Sequence, residues 1–227
     1  MNEFELKNLI IDIGKRMWQR EYVSANDGNI SVRLDEKYFL VTPSGVSKGF
    51  MKPEMILKID KDCNIVSFNK DYKISSEIKM HLLIYKERPD IKSVIHSHPI
   101  YSTAFSIAGI ELNKCILPES AILLGAVPIA PYATPSTDEV PESILPYIKN
   151  TDVIMLANHG VVTCGQNLIE AYFKLETLEH TAKITFLAMQ LGNINFLNDE
   201  QVKKLMEVRE KFGLKNKIIM CQTKNNI

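Results

Sequence analysis

Ser93-Val94-Ile95-His96-Ser97-His98-Pro99 is the most informative segment of this 227-residue chain. Its apolar, β-branched start is typical of a buried strand, and Pro99 suits the first turn of a helix that should end at Gly109. Residues two positions apart on a strand point to the same face, so His96 and His98 can direct their imidazoles at one point. The segment therefore predicts a strand that presents two nitrogen ligands and is followed at once by a helix.

Helices and strands are predicted on both sides of this segment. Strands are expected near residues 30–34, 37–41, 127–130, 153–156 and 161–164, and helices near 6–17, 75–88, 168–190 and 199–212. Several strand pairs have connections too short for a helical crossover, so the sheet should be mixed with substantial antiparallel content. One domain over residues 1–227, with a weakly ordered tail at 215–227, is the simplest account.

The composition is that of an ordinary soluble domain, with 45% hydrophobic residues and 27 basic against 27 acidic side chains. This balance argues against binding to nucleic acid or to a membrane surface, so an anionic ligand must be held by a few local groups. The N-terminal segment does not resemble a secretory signal, and no apolar run reaches transmembrane length, so we expect a cytoplasmic protein. The four scattered cysteines predict reduced, mostly buried thiols.

Three of the five histidines are candidate metal ligands. His96 and His98 need a third partner, and His159 is the best candidate because it follows the apolar segment 153–157 and precedes Gly160. Three imidazole nitrogens suit Zn²⁺ and leave a fourth position open for water or substrate. The spacing of His96 and His98 by itself is more typical of structural histidines. Because both histidine groups end apolar strands, a metal site and structural histidines have about equal weight.

Three short segments offer hydroxyl, amide and backbone N–H groups without a cationic side chain. Such groups can surround a phosphate, above all at a helix N-terminus. Each segment alone is more simply explained as a turn or a helix cap. The segments are Gly28-Asn29, Thr42-Pro43-Ser44-Gly45 and Ser75-Ser76.

Glu77 follows the last of these segments, at the start of a predicted helix, where a carboxylate also interacts favourably with the helix dipole. Near a metal and a phosphate it would become a candidate acid/base. His81 lies on the same helical face and is expected in the core or behind the ligands. His180, in a charged helical stretch, is expected on the surface.

In this order and at this spacing, the segments resemble the class II aldolase/adducin family, most closely its L-fuculose-1-phosphate aldolase branch. The resemblance extends from the first helix to about Leu214 and rests on five motifs: Gly28-Asn29-Ile30-Ser31-Val32-Arg33, Thr42-Pro43-Ser44-Gly45, Ser75-Ser76-Glu77, His96-Ser97-His98 and His159-Gly160. It implies a three-layer α/β/α fold with a central mixed, largely antiparallel sheet. It also implies a four-fold symmetric homotetramer with active sites at subunit interfaces.

The resemblance also implies roles for individual residues. His96, His98 and His159 would bind zinc, and Glu77 would be the catalytic acid/base, able to contact zinc when substrate is absent. The phosphate cradle would consist of Gly28, Asn29, Ser44, Gly45, Ser75 and Ser76. The implied reaction cleaves a ketose 1-phosphate, either L-fuculose 1-phosphate or a related deoxy- or methylthio-pentulose 1-phosphate, into dihydroxyacetone phosphate and an aldehyde.

The sequence departs from the fuculose-phosphate branch at the second proton donor. That branch has one tyrosine in the segment that here is Ile116-Leu117-Pro118-Glu119-Ser120 and another near the C-terminus, where this chain has Phe212-Gly213-Leu214. Glu119 of a neighbouring subunit is a candidate replacement, although it could equally be an ordinary surface carboxylate. The departure leaves the identity of the aldehyde open.

Other functions are compatible with the same motifs. An L-ribulose-5-phosphate 4-epimerase or a sugar-phosphate dehydratase would use the same metal site. A non-catalytic, adducin-like binding module would need neither the three histidines nor Glu77, so their presence argues against it. A zinc hydrolase is a further alternative, but neutral cradles favour holding a phosphate over cleaving it.

Overall fold

The computed structural model describes residues 1–67 and 71–223, and a seven-stranded sheet forms the centre of this part of the chain. The strands are β1 Asn29–Arg33, β2 Tyr38–Val41, β3 Leu57–Asp60, β4 Ser93–Ser97, β5 Ile129–Ala130, β6 Val153–Leu156 and β7 Gly160–Gly165. They lie in the order β3-β2-β1-β4-β7-β6-β5. Neighbouring strands are antiparallel except for β5 and β6, which confirms the predicted mixed, largely antiparallel sheet.

The helices are α1 Glu3–Gln19, α2 Ile78–Glu87, α3 Ile100–Ala108, α4 Pro118–Leu123, α5 Glu139–Ile148, α6 Leu168–Leu191 and α7 Asp199–Lys211. As predicted, α3 follows Pro99 and ends at Gly109, whose φ of 68° suits glycine. The sequence patterns did not predict α4, which has six residues, or α5, which contains Pro146. Within the described residues, no helix is both long and apolar enough to cross a membrane.

Alternating strand residues divide the core into two apolar layers. Ile95 belongs to the layer between the sheet and α1, α3 and α6. Val94 belongs to the layer on the opposite face, where α2 and α5 pack. This arrangement confirms the three-layer α/β/α prediction. Because His96 lies two residues after Val94, its side chain points to the same face as α2.

The C-terminal segment differs from the weakly ordered tail that we expected. The Cys115 N–H donates to the Gln222 carbonyl at 2.9 Å, and the Gln222 N–H donates to the Asn113 carbonyl at 2.7 Å. Asn216 anchors the start of this segment by donating to the Leu123 carbonyl at 2.7 Å. The segment is therefore packed on the domain as far as residue 223, and residues 224–227 lie outside the described part.

This packing also corrects the prediction of reduced thiols. Cys115 and Cys221 form a disulfide across 106 residues of sequence, with their Cα atoms 5.2 Å apart. Spacing patterns did not indicate the pair, because only the return of the C-terminal segment brings the two residues together. Cys63 and Cys164 remain free thiols, and Cys164 is buried as expected.

Removing the disulfide should destabilise the fold, because the bond closes a long loop in the unfolded chain. We expect the Cys115→Ser/Cys221→Ser double variant to lose about 2–4 kcal/mol of unfolding free energy. Urea unfolding followed by circular dichroism would measure the loss. Cys63→Ser is the matched control and should unfold like the parent protein. Equal midpoints for the double variant and the control would contradict the prediction.

Candidate active site

Three histidine side chains converge at one end of the sheet. His96 and His98 are presented by β4 and the residue after it, and His159 by the turn between β6 and β7. One ring nitrogen from each lies within 4.8 Å of the other two. The Nε2 atoms of His96 and His98 are 3.1 Å apart, and the ring centroids are separated by 4.7 to 5.1 Å. The structure thus brings together the three residues that the sequence singled out.

Backbone geometry allows the three rings to meet. Gly160 opens β7 directly beside β4, and a Cβ at this position would lie 2.4 Å from the Ser97 carbonyl oxygen and 2.5 Å from His98 Cδ2. Asn158 adopts a φ of 56° in the preceding turn, a left-handed conformation that asparagine tolerates better than most residues. A side chain at Gly160 would therefore push the His159 turn away from His98.

Polar partners on the far side of two rings leave their Nε2 atoms free for a ligand. His96 Nδ1 lies 2.9 Å from the Val161 carbonyl oxygen, which can only accept, so Nδ1 carries the proton. His98 Nδ1 lies 3.5 Å from Asp27 Oδ2. Burial lowers the pKa of His96 to about 3, against the opposing effect of Glu77, and burial also lowers the pKa of His98. Both imidazoles are therefore neutral near pH 7, with lone pairs available on Nε2.

This arrangement fits a divalent metal ion. His96 Nε2 and His98 Nε2 lie 3.1 Å apart, and with Nδ1 protonated on both rings their lone pairs are directed at one point that a cation can occupy. Two nitrogens bound tetrahedrally to one zinc would be separated by about 3.3 Å, given the usual zinc–nitrogen distances. The Val161 carbonyl and the Asp27 carboxylate orient the rings from behind, as partners of metal-binding histidines usually do.

Glu77, immediately before α2, extends its carboxylate into the centre of the histidine cluster. Its Oε1 lies 3.0 Å from His159 Nε2 and 3.5 Å from His96 Nε2, and Asn29 Nδ2 donates to Oε2 at 2.8 Å. Burial acts to raise the pKa of Glu77, whereas His96, when protonated, and the hydrogen bonds from His159 and Asn29 act to lower it, and the net pKa lies below its ordinary value. The group is therefore a carboxylate at neutral pH, fixed by Asn29 at one oxygen and directed to the cluster with the other.

A pocket of roughly 340 Å³ adjoins the cluster, and the six predicted cradle residues all line it. They are Gly28, Asn29, Ser44, Gly45, Ser75 and Ser76, and they lie beside Glu77, His98 and His159. Gly28 and Gly45 have φ values of 71° and 74°, so glycine is required for their turns. No lysine or arginine is among the lining residues in the described part of the chain.

Sequence reasoning missed four residues of this pocket: Asn26, Asp27, Pro135 and Ser136. Ser136 accepts a hydrogen bond from Ser76 at 2.7 Å, which ties the segment after β5 to the cradle. Its segment, Thr134-Pro135-Ser136-Thr137, has the same small, hydroxyl-rich character as the predicted cradle segments. That shared composition could have identified it.

The remaining predicted residues lie away from the cluster or behind it. Glu119 is on α4 and lines a different pocket together with Tyr101 and His180, so this single chain does not bring it to the histidines. His180 is exposed on α6, as expected. His81 is fully buried, and its Nδ1 lies 2.7 Å from Ser31 Oγ, in agreement with a core position.

Comparisons with known proteins agree with this fold and site. The model of the Class II Aldolase and Adducin N-terminal domain family matches residues 8–186, and the chain belongs to this family. It is 34% identical over 209 residues to a 3-oxo-tetronate 4-phosphate decarboxylase of Haemophilus influenzae, covering 90% of this chain and 98% of that protein. It is 37% identical over 181 residues to an L-fuculose phosphate aldolase of Methanocaldococcus jannaschii, with 80% and 96% covered.

Solved structures show the same relationship. An L-fuculose 1-phosphate aldolase superposes with a TM-score of 0.82 at 31% identity, covering 92% of this chain and 97% of that structure. The chain is therefore an enzyme of the class II aldolase superfamily. Its relatives include both a decarboxylase and an aldolase, so family membership leaves the reaction open.

Proposed function

We propose that this enzyme uses a metal ion to break the bond between the α and β carbons of a phosphorylated keto sugar or keto sugar acid. One observation carries the proposal: a neutral, hydroxyl-rich pocket lies directly beside three convergent histidines and the Glu77 carboxylate. A substrate whose phosphate occupies the cradle would place its adjacent carbonyl towards the histidine cluster. Glu77 could then hold or deliver the proton at the reacting carbon.

Zinc is the metal that we propose, held by His96, His98 and His159. This donor set leaves one position vacant, and the bound ion would stabilise negative charge that develops on the substrate's carbonyl oxygen. Asn29 orients Glu77 through Oε2, and Asp27 orients His98. These residues can thus prepare the site before substrate arrives.

Two candidate reactions share one intermediate. Cleaving a ketose 1-phosphate between C3 and C4 leaves the electron pair on C3, delocalised into the C2 carbonyl, and releases an aldehyde. Decarboxylating a 3-oxo-tetronate 4-phosphate leaves the pair on C2, delocalised into the C3 carbonyl, and releases carbon dioxide. In both cases protonation of the resulting enediolate gives dihydroxyacetone phosphate. The reactions therefore differ only in the leaving group.

The leaving group determines whether a second acid/base is needed. Aldol cleavage must remove the proton from the C4 hydroxyl as the aldehyde forms, whereas loss of carbon dioxide requires no proton transfer at the departing carbon. No tyrosine lines the pocket among the described residues, and the segments where the aldolase branch has tyrosines contain Leu117 and Phe212. These observations favour decarboxylation as the second candidate beside the aldolase. Glu119 of a neighbouring subunit remains the proposed donor if the aldolase assignment is correct.

A homotetramer is part of the proposal, because it would carry Glu119 of one subunit towards the site of the next. Large apolar side chains remain exposed on α3 and α6, including Ile100, Phe173 and Phe186. Such exposed groups support an association between subunits.

A product assay separates the candidate reactions. We expect zinc-loaded protein to form dihydroxyacetone phosphate from L-fuculose 1-phosphate or from 3-oxo-tetronate 4-phosphate, detected by NADH-coupled reduction. Equimolar carbon dioxide would identify a decarboxylase, and an equimolar aldehyde would identify an aldolase. The unphosphorylated analogues serve as controls and should react far more slowly.

Two outcomes would contradict the proposal. Epimerisation of L-ribulose 5-phosphate without release of triose phosphate would favour the epimerase. Zinc-loaded protein that turns over none of these compounds, nor related pentulose 1-phosphates, would favour an adducin-like binding module.

A further inference from the structure

A buried ammonium group lies between two loops of the phosphate cradle. Lys48 is only 1% exposed, and its Nζ donates to the Val46 carbonyl at 3.0 Å and to the Asn26 carbonyl at 3.2 Å. Asn26 belongs to the loop that carries Gly28, and Val46 directly follows Gly45. Lys48 therefore joins the loop before β1 to the loop after β2.

This ammonium has no carboxylate within ion-pair distance among residues 1–67 and 71–223, although Asp27 and Glu77 are near enough to affect it. Burial lowers the pKa of Lys48 to about 8, while Asp27 and Glu77 act in the opposite direction. The group therefore remains mostly protonated at pH 7. A buried, unpaired charge is costly to a fold, which points to a compensating interaction in the working enzyme.

The charge balance of the pocket indicates what that interaction would be. Asp27 and Glu77 are the carboxylates among its lining residues, and no cationic side chain accompanies them there. The proposed zinc ion would offset the charges of these two carboxylates and leave none to offset a further anion. A phosphate dianion would bring two more negative charges into this partly buried space. The neutral cradle can donate hydrogen bonds to the phosphate, but its side chains carry no positive charge to offset it. Lys48 is a cation that the fold holds against both of these loops, through the Asn26 and Val46 carbonyls.

We infer that Lys48 is a positioning and specificity-determining residue for the phosphate group, which rests on the proposed function above. Its hydrogen bonds fix the two loops relative to each other, and its charge lowers the electrostatic cost of holding a dianion. Lys48 does not line the pocket, so it acts through the loops and through space. Removing it should weaken binding of phosphorylated ligands much more than it slows the bond-breaking step.

The test compares variants that separate charge from hydrogen bonding. Lys48→Gln removes the charge and keeps donor groups, Lys48→Met removes both, and Lys48→Arg keeps the charge. Lys52→Met, at an exposed position of the same loop, is the matched control. Binding of inorganic phosphate and of dihydroxyacetone phosphate would be measured by phosphorus NMR and calorimetry on zinc-loaded protein.

We expect Lys48→Gln and Lys48→Met to raise Kd for both ligands about 10-fold or more, as for the loss of one nearby charge at an intermediate dielectric. KM for the phosphorylated substrate should rise in parallel, with kcat changed less than about 3-fold. Lys48→Arg and Lys52→Met should remain near the parent values. If Lys48→Met fails to fold, Lys48→Gln still decides the point.

The experiment distinguishes failure of the Lys48 inference from failure of the proposed function. Phosphate binding by the parent protein with unchanged affinity in Lys48→Gln would overturn the charge role of Lys48 and leave the proposed function intact. Absence of phosphate binding in the parent protein would overturn both. A fall in kcat without a change in KM would show that Lys48 supports the fold of the site without selecting phosphate.

Discussion

Replacing His96 with alanine is expected to strip the metal from the protein and to abolish turnover. His96 is fully buried, and its neutral Nε2 lies 3.1 Å from His98 Nε2, so the substitution removes one of the three convergent nitrogen donors. Loss of residues that merely support a metal ligand costs 10- to 100-fold in metal affinity, so loss of a ligand should cost more than about 100-fold. Elemental analysis of the purified variant would measure zinc per subunit.

The control must show that the loss is local. His180→Ala removes an exposed imidazole from α6 and should retain the parent's zinc content. Because truncation of a buried side chain also leaves a cavity, His96→Asn provides a second variant with a smaller change in volume. Far-ultraviolet circular dichroism should show folded protein for both His96 variants. Full zinc occupancy in either would exclude His96 as a ligand.

The central strands could be predicted from sequence because their patterns are local. The segment around His96 alternates between two apolar layers, and Val94 and Ile95 occupy opposite layers in the structure. Pro99 and Gly109 marked the two ends of α3 through backbone preferences that need no tertiary information. The same reasoning placed His96 and His98 on one face of the sheet before their partners were known.

Features that depend on distant contacts were not predictable in this way. The Cys115–Cys221 disulfide spans 106 residues and forms only because the C-terminal segment returns to pair near Asn113. Helix α5 contains Pro146, and proline inside a segment argues against a helix in sequence-based prediction. Its residues Val140 and Ile144 are nevertheless buried in the apolar layer that also contains α2. Here tertiary packing outweighs the local preference.

The contact between Glu77 and the histidines could likewise be recognised only from the folded structure. Glu77 is 82 positions from His159 in sequence, and the sequence position alone was equally compatible with a helix-capping role. The structure assigns no side-chain cap to Glu77 and places its Oε1 3.0 Å from His159 Nε2. The role of Lys48 could not be predicted from sequence either, because a lysine near a turn usually has a solvated side chain and only the structure shows that this one is buried.

Replacing Glu77 with glutamine should preserve the metal and slow proton transfer by about 10²- to 10⁴-fold, the usual contribution of a positioned acid/base. Glutamine has the same shape, and its amide oxygen can accept the hydrogen bond that Asn29 Nδ2 now donates to Oε2. Its amide group cannot take up or deliver a proton near neutral pH. The variant therefore separates loss of chemistry from loss of structure.

Glu77 is assigned the proton transfer at the hydroxymethyl carbon of dihydroxyacetone phosphate. Exchange of hydrogen between this carbon and solvent isolates that step, because it needs neither an aldehyde nor carbon dioxide. In heavy water, zinc-loaded parent protein should incorporate deuterium at this carbon, and Glu77→Gln should do so at least about 10²-fold more slowly. Proton NMR would follow the exchange. An exchange rate near that of the parent would assign the acid/base role to another group, whereas zinc loss in Glu77→Gln would show that Glu77 helps to hold the metal.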